Sequence, residues 1–231
     1  MKKLVFAIMA IASLTSCKFD VTRSVTVDSN VEESRQLKNF ERITLQGAMD
    51  VKYMQADSFS VKVNAPADVV KKVETIVEGN VLKVKMKDGN NIIHFGSVDS
   101  GNITVYVTSP DFLGVNLMGS GDFMSVRPLD TDTLTVALRG SGDIYFKDVI
   151  CDRVDVSLIG SGDVTVGNVK TQQAHLDLIG SGDIDMNFDN SGSVDAQVKG
   201  SGDITLKGTV KQMNKQVRGS GDIDTDDLQV R

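Results

Sequence analysis

The sequence predicts an all-β fold, a parallel β-helix-like solenoid, and three observations carry that prediction. The quartet Gly-Ser-Gly-Asp begins at Gly119 and returns at Gly140, Gly160, Gly180, Gly200 and Gly219, steps of 21, 20, 20, 20 and 19 residues. A fixed period near twenty marks stacked repeats, each burying its apolar face only against its neighbours. The residues flanking each quartet alternate apolar and polar, the period of a half-buried strand. Twenty-one glycines and no tryptophan fit a chain rich in tight turns.

Counting back from the first glycine of each quartet, the even positions are apolar. They read Leu134, Val136 and Leu138, then Val154, Val156 and Leu158, then Ala174, Leu176 and Leu178, then Val194, Ala196 and Val198. Thr135, Asp155, Ser157, His175, Asp177, Asp195 and Gln197 stand between them and are expected to face water. After the quartet the apolar face resumes at Ile144 and Phe146, Val164 and Val166, Ile184 and Met186, Ile204 and Leu206. Each repeat thus reads strand, tight corner, strand, looser return turn. About twenty residues is one lap of a narrow β-helix with coils ~4.8 Å apart. An antiparallel meander also favours Gly and Asp in its turns, but identical corners at a fixed period argue for coils in identical register.

The quartet suits such a corner, because alternate glycines permit positive φ or close approach of the next coil, while Ser and Asp bond turn amides. Stacking would align Asp122, Asp143, Asp163, Asp183, Asp203 and Asp222 beside a matching column of serines. Carboxylates ~4.8 Å apart repel by ~0.9 kcal/mol in water and by ~3.5 kcal/mol at an effective dielectric of about 20. Either each Asp accepts hydrogen bonds from the amides of its own turn, or divalent cations such as calcium bridge the column. One Asp per coil is a thin ligand supply, so a structural turn ladder is the expectation.

From its beginning, the chain opens with Lys2 and Lys3 and an apolar run from Leu4 to Ala12, too short to span a membrane as a mature helix. Leu14-Thr15-Ser16-Cys17 follows and resembles the lipobox of bacterial lipoproteins. Residues 1–16 are therefore read as a lipoprotein signal peptide, with Cys17 as the lipidated residue. Residues 17–38 are polar and read as a tether. The absence of Asp directly after Cys17 is similar to lipoproteins sent to the outer membrane, with the leaflet left open. With Cys17 lipidated, Cys151 remains alone in a return turn as a semi-exposed bystander, and no disulfide framework exists.

The folded domain is expected over residues 39–231. Ile43 to Leu45, Val51 to Tyr53, Phe59 to Val63 and Val81 to Met86 alternate as strands. Gly47-Ala48-Met49-Asp50 looks like a worn copy of the later corner, and Ser100-Gly101-Asn102-Ile103 like a second one, so a less regular N-terminal β cap precedes the intact coils. Pro66 to Val77 reads either as a short helix or as one helical turn followed by strand. At the far end, Lys215 interrupts the apolar column of Val156, Leu176 and Ala196, and Asp222, Asp224, Asp226 and Asp227 close the chain. Charge at an open end stops further strands from joining.

With the corners and the lead-in both in view, the sequence resembles the head GIN domain family. The resemblance rests on Phe40-Glu41-Arg42-Ile43, Gly47 with Asp50-Val51, Ser60-Val61-Lys62-Val63, the strand around Leu82-Lys83-Val84 and the serial corners, and it covers about residue 40 to the end. It implies a right-handed β-helix in an exported, often lipid-anchored protein with an adhesin label. It carries no catalytic set.

The composition narrows function as well. A net charge of −6 without a basic cluster argues against nucleic acid. A carbohydrate-active β-helix enzyme needs clustered carboxylates and aromatic platforms; here Asp155, His175 and Asp195 on successive coils are the one chemistry-like column, explained equally by a solvated face or a metal. No catalytic residue, metal site or cofactor is assigned. The expectation is a non-catalytic binding or adhesion module on the cell envelope, with a membrane anchor and a glycan or protein ligand. Met118, Ile159 and Ile179, just before the corners in the outward phase, are the candidate apolar strip for that partner. A periplasm-facing structural or envelope-stress component is the alternative.

Overall fold

The structure, a computed structural model, describes residues 30–87 and 103–231. Cys17, the signal peptide and the turn at 88–91 lie outside the described residues. The described chain is all strand and turn, wound as a β-solenoid of about six coils. Its strands in order are β1 (Asn30–Arg35), β2 (Arg42–Gly47), β3 (Asp50–Gln55), β4 (Ser60–Pro66), β5 (Val73–Glu78), β6 (Val81–Met86), β7 (Thr104–Ser109), β8 (Gly114–Gly119), β9 (Phe123–Ser125) and β10 (Leu129–Asp130). The regular coils follow with β11 (Thr133–Gly140), β12 (Ile144–Ile150), β13 (Arg153–Gly160), β14 (Val164–Lys170), β15 (Gln173–Gly180), β16 (Ile184–Gly200), β17 (Ile204–Gly219), β18 (Ile223–Asp224) and β19 (Leu228–Val230).

Two ladders form the walls. Before the corner, β2, β8, β11, β13, β15, β16 and β17 pair in parallel, in that order. After the corner, β3, β9, β12, β14, β16, β17 and β18 do the same. Leu134, Val154, Ala174 and Val194 fall in one register column, as do Leu138, Leu158, Leu178 and Val198, and all are buried. Like side chains therefore stack on like, and one continuous core runs the length of the molecule. Past Phe146 the inward phase slips by one residue, to Val149 and Cys151, which bends each coil toward its return turn.

The worn copy at Gly47 is a true corner: β2 lies beside β8 and β3 beside β9, in the same register as the intact coils. Between β3 and β8 the chain leaves to build the cap. β6 lies outside β2 and β7 outside β3, both parallel; β5 then joins β6, and β4 joins β7, antiparallel. The second worn corner, read at Ser100-Gly101-Asn102, lies outside the described residues; the strand that follows, β7, seats on the far side of β3 from β9, with Val105 and Phe123 both in register with Val51. After Pro66 comes a single turn, with the Val69 and Val70 amides donating to the Pro66 carbonyl at 2.8 and 2.9 Å, and then strand β5.

The expected tether boundary also moves. Asn30–Arg35, inside the stretch 17–38, forms β1 and pairs antiparallel with β4. Its sequence hides this because it is an edge strand with little of its surface buried, so no apolar alternation is required. At the cap, Lys62 pairs with Glu32 at 2.8 Å and Lys85 with Glu74 at 3.1 Å along the edge strands. At the other end, Lys215 takes an inward register position beside Ala196 and bends its amine to the Ile223 carbonyl and the Thr225 hydroxyl, both at 3.2 Å. A charged group at that position blocks another coil from docking.

Candidate binding surface

The corners set the geometry of everything outside. The first glycine of each intact quartet has φ between 136° and 143°, and a Cβ there would lie 2.0 to 2.1 Å from the carbonyl oxygen of the glycine one coil back. The second glycine is needed for closeness alone. Each serine amide donates to that same carbonyl, as Ser161 does to Gly140 at 2.9 Å.

The aspartates complete the seam in a way the sequence did not suggest. Their partner is the next coil rather than their own turn: each Asp amide donates to Oδ1 of the Asp before it, from Asp122 to Asp50 through to Asp222 to Asp203, at 2.8 to 3.1 Å. An amide donor at every step offsets the like-charge repulsion down the column, since a hydrogen bond to an ionised acceptor is the stronger kind. At its first member, burial pushes the Asp50 carboxyl above its usual value, against the lowering effect of the Asp122 amide. A raised carboxyl pKa means that stability is lost as pH rises through the unfolded and then the folded pKa. Asp50→Asn keeps the acceptor oxygen and removes the charge. Urea midpoints from pH 3 to 7 should therefore show the variant gaining on wild type as pH rises; a parallel pair of curves would refute this.

On the wall before the corner, the register brings Asp155, His175 and Asp195 into one outward column, as read from sequence. They do not converge on a common point. Arg153 clamps Asp155 with two hydrogen bonds of 2.7 and 2.8 Å, His175 Nε2 lies 3.2 Å from Asp177, and Asp195 accepts from the Asn214 amide at 2.8 Å. Among the described residues no group of three His, Cys, Asp or Glu side chains is placed to hold a metal ion. The neighbouring column reads Met118, Arg139, Ile159, Ile179, Lys199 and Arg218. Of the strip picked out in the sequence, Ile159 and Ile179 face solvent at 37% and 40% exposure, while Met118 is half-buried.

Cys151 differs from expectation, being buried rather than half exposed. It belongs to a column of small polar residues under the return turn, Thr131, Cys151, Thr171 and Ser191, each 20 residues after the last. The Cys151 thiol donates to Thr171 Oγ1 at 3.6 Å, and Ser191 Oγ accepts the Thr171 amide and donates to the Val169 carbonyl, both at 3.1 Å. Burial pushes the thiol pKa up, which lowers its reactivity. The spacing was the sequence signal for this column; variation of residue type from coil to coil concealed it.

A narrow parallel β-solenoid with in-register outer walls is a repeat scaffold, and the comparisons agree with that class. The family model described as "Putative auto-transporter adhesin, head GIN domain" matches residues 39–186 and again 164–231, the overlap following from the repeat itself. The chain belongs to this family. Among solved structures it is similar to a putative adhesin from Bacteroides fragilis, at 22% identity and a TM-score of 0.69, covering 85% of this chain and 96% of that one. A putative lipid binding protein from Parabacteroides distasonis follows at 19% identity and TM-score 0.68, with the same coverage of 85% and 96%. A putative adhesin from Parabacteroides merdae has 19% identity and TM-score 0.64, covering 85% and 95%. At these identities the likeness speaks to the fold. No curated protein matches the chain.

Proposed function

We propose that the protein is an exported lipoprotein, tethered to the outer membrane through Cys17, whose solenoid is a non-catalytic binding or adhesion module. The observation that carries this reading is the strip from Met118 to Arg218, in which exposed isoleucines lie between cationic side chains in strict register. A wall whose backbone is locked coil to coil meets an extended partner without loss of its own conformational entropy. The adhesin names of the family and of two structural neighbours support a binding role, and the lipid-binding name of a third is compatible with one. We read the Asp seam as structural, so thermal melts in calcium and in EDTA should coincide. A rise of several degrees in calcium would instead make it a cation site.

Protease shaving of intact cells, beside a Cys17→Ser variant, tests the reading. Cys17→Ser should move the protein from the membrane to the soluble fraction, and retention would remove the anchor. Wild type should vanish on shaving while a periplasmic marker survives. If it persists, adhesion is excluded and the solenoid works on partners inside the envelope.

A further inference from the structure

On the wall before the corner, where the cap joins the regular coils, lies a depression of about 450 Å³. Its floor is bare backbone at Gly114, where a Cβ would sit 2.3 Å from the Thr135 carbonyl oxygen and 3.1 Å from Arg42 Nη1. Arg42 therefore reaches over the floor from one side. Arg139 stands on the rung beyond, and Met118 forms an apolar edge between them.

Three features of this groove point the same way. It holds two guanidinium groups and no carboxylate, in a chain whose net charge is −6. Neither Arg42 nor Arg139 has an ion pair among the described residues, whereas Arg153, on the next rung, is clamped by its own Asp155. Finally, the side chains of Thr44, Asn116 and Thr135 line the groove with no hydrogen-bond partner among the described residues. Guanidinium is weakly hydrated and offers a planar fork of donors that matches a carboxylate. Hydroxyl and amide groups match a polyol, and a shallow apolar edge suits the C–H face of a sugar ring.

We propose that this groove binds an acidic saccharide, with Arg42 and Arg139 each meeting a uronic-acid carboxylate and Thr44, Asn116 and Thr135 meeting ring hydroxyls. The proposal rests on the binding-module reading and names its ligand class.

The test is calorimetric titration of the full chain in mild detergent with tetragalacturonate, its carboxyl-reduced tetramer and inorganic phosphate. Tetragalacturonate should bind saturably and weaken with salt, and the reduced tetramer should bind at least about tenfold more weakly. Arg139→Ala, at an exposed position, should cost about tenfold or more, as should Arg42→Lys, which keeps the charge but loses the fork. Melting curves of both variants matching wild type show that the loss is local. Absence of tetragalacturonate binding, equal binding by the two variants, equal binding of the reduced tetramer, or displacement by phosphate at equal concentration would each overturn the proposal. If the groove fails while shaving shows a surface-exposed protein and intact cells still hold a partner, the binding-module reading stands without it.

Discussion

Gly162→Val is expected to lower the melting temperature by about ten degrees or more, or to prevent folding. A Cβ at residue 162 would lie 2.0 Å from the carbonyl oxygen of Gly142, well inside van der Waals contact, and the obstacle is backbone rather than a yielding side chain. The two coils cannot part there cheaply. On one side Ser161 donates to the Gly140 carbonyl at 2.9 Å; on the other, Asp163 donates to Asp143 Oδ1 at 3.1 Å. Room for valine comes only by breaking such bonds, at several kcal/mol out of a total stability of about 5–15. Ser161→Ala, on the exposed tip of the same corner, should change stability by less than about 0.5 kcal/mol. Circular dichroism melts of the two variants decide it: an unchanged Gly162→Val curve would mean that the corners do not stack.

Phe112→Ala should come next in size, a loss of about 3–5 kcal/mol. Phe112 is fully buried just before β8, where the chain returns from the cap to the solenoid. Its ring stacks on Tyr53 at 4.2 Å between centroids and lies 5.7 Å from Phe123 and 6.3 Å from Phe146. This aromatic cluster pins the segment returning from the cap onto coil strands β3, β9 and β12, so its removal opens a cavity at that junction. The same burial pushes the Tyr53 pKa up to about 12, while its hydroxyl stays bonded to Ser109. Urea denaturation of Phe112→Ala should show a lower midpoint, with β7 and β8 amides exchanging first. A midpoint equal to that of wild type would mean that the cap is held some other way.

Much of this was legible beforehand. The quartet repeat announced the corners, and the alternation around it named the buried columns one by one, because in stacked identical coils a local pattern is also the tertiary one. Lys215 stood out as a charge in an apolar column, and its amine turns to the Ile223 carbonyl and the Thr225 hydroxyl. The cap was harder. Its β6 and β7 lie outside strands that precede them in sequence, an arrangement that no periodicity encodes. β1 escaped notice because an edge strand needs no apolar face.

The remaining division follows from the reach of each kind of information. Periodicity in the chain determines what lies one coil away, so the sequence by itself determined the solenoid, its core columns, its corners and the outward strip of Ile159 and Ile179. Only the tertiary structure decided that the Asp seam is bonded between coils, that Cys151 is buried, and that Arg42 from the first rung and Arg139 from a rung 97 residues later share one groove. Those facts depend on how the irregular cap docks on the regular coils. Docking is governed by packing between distant segments, and a repeat that ends at the cap carries no record of it.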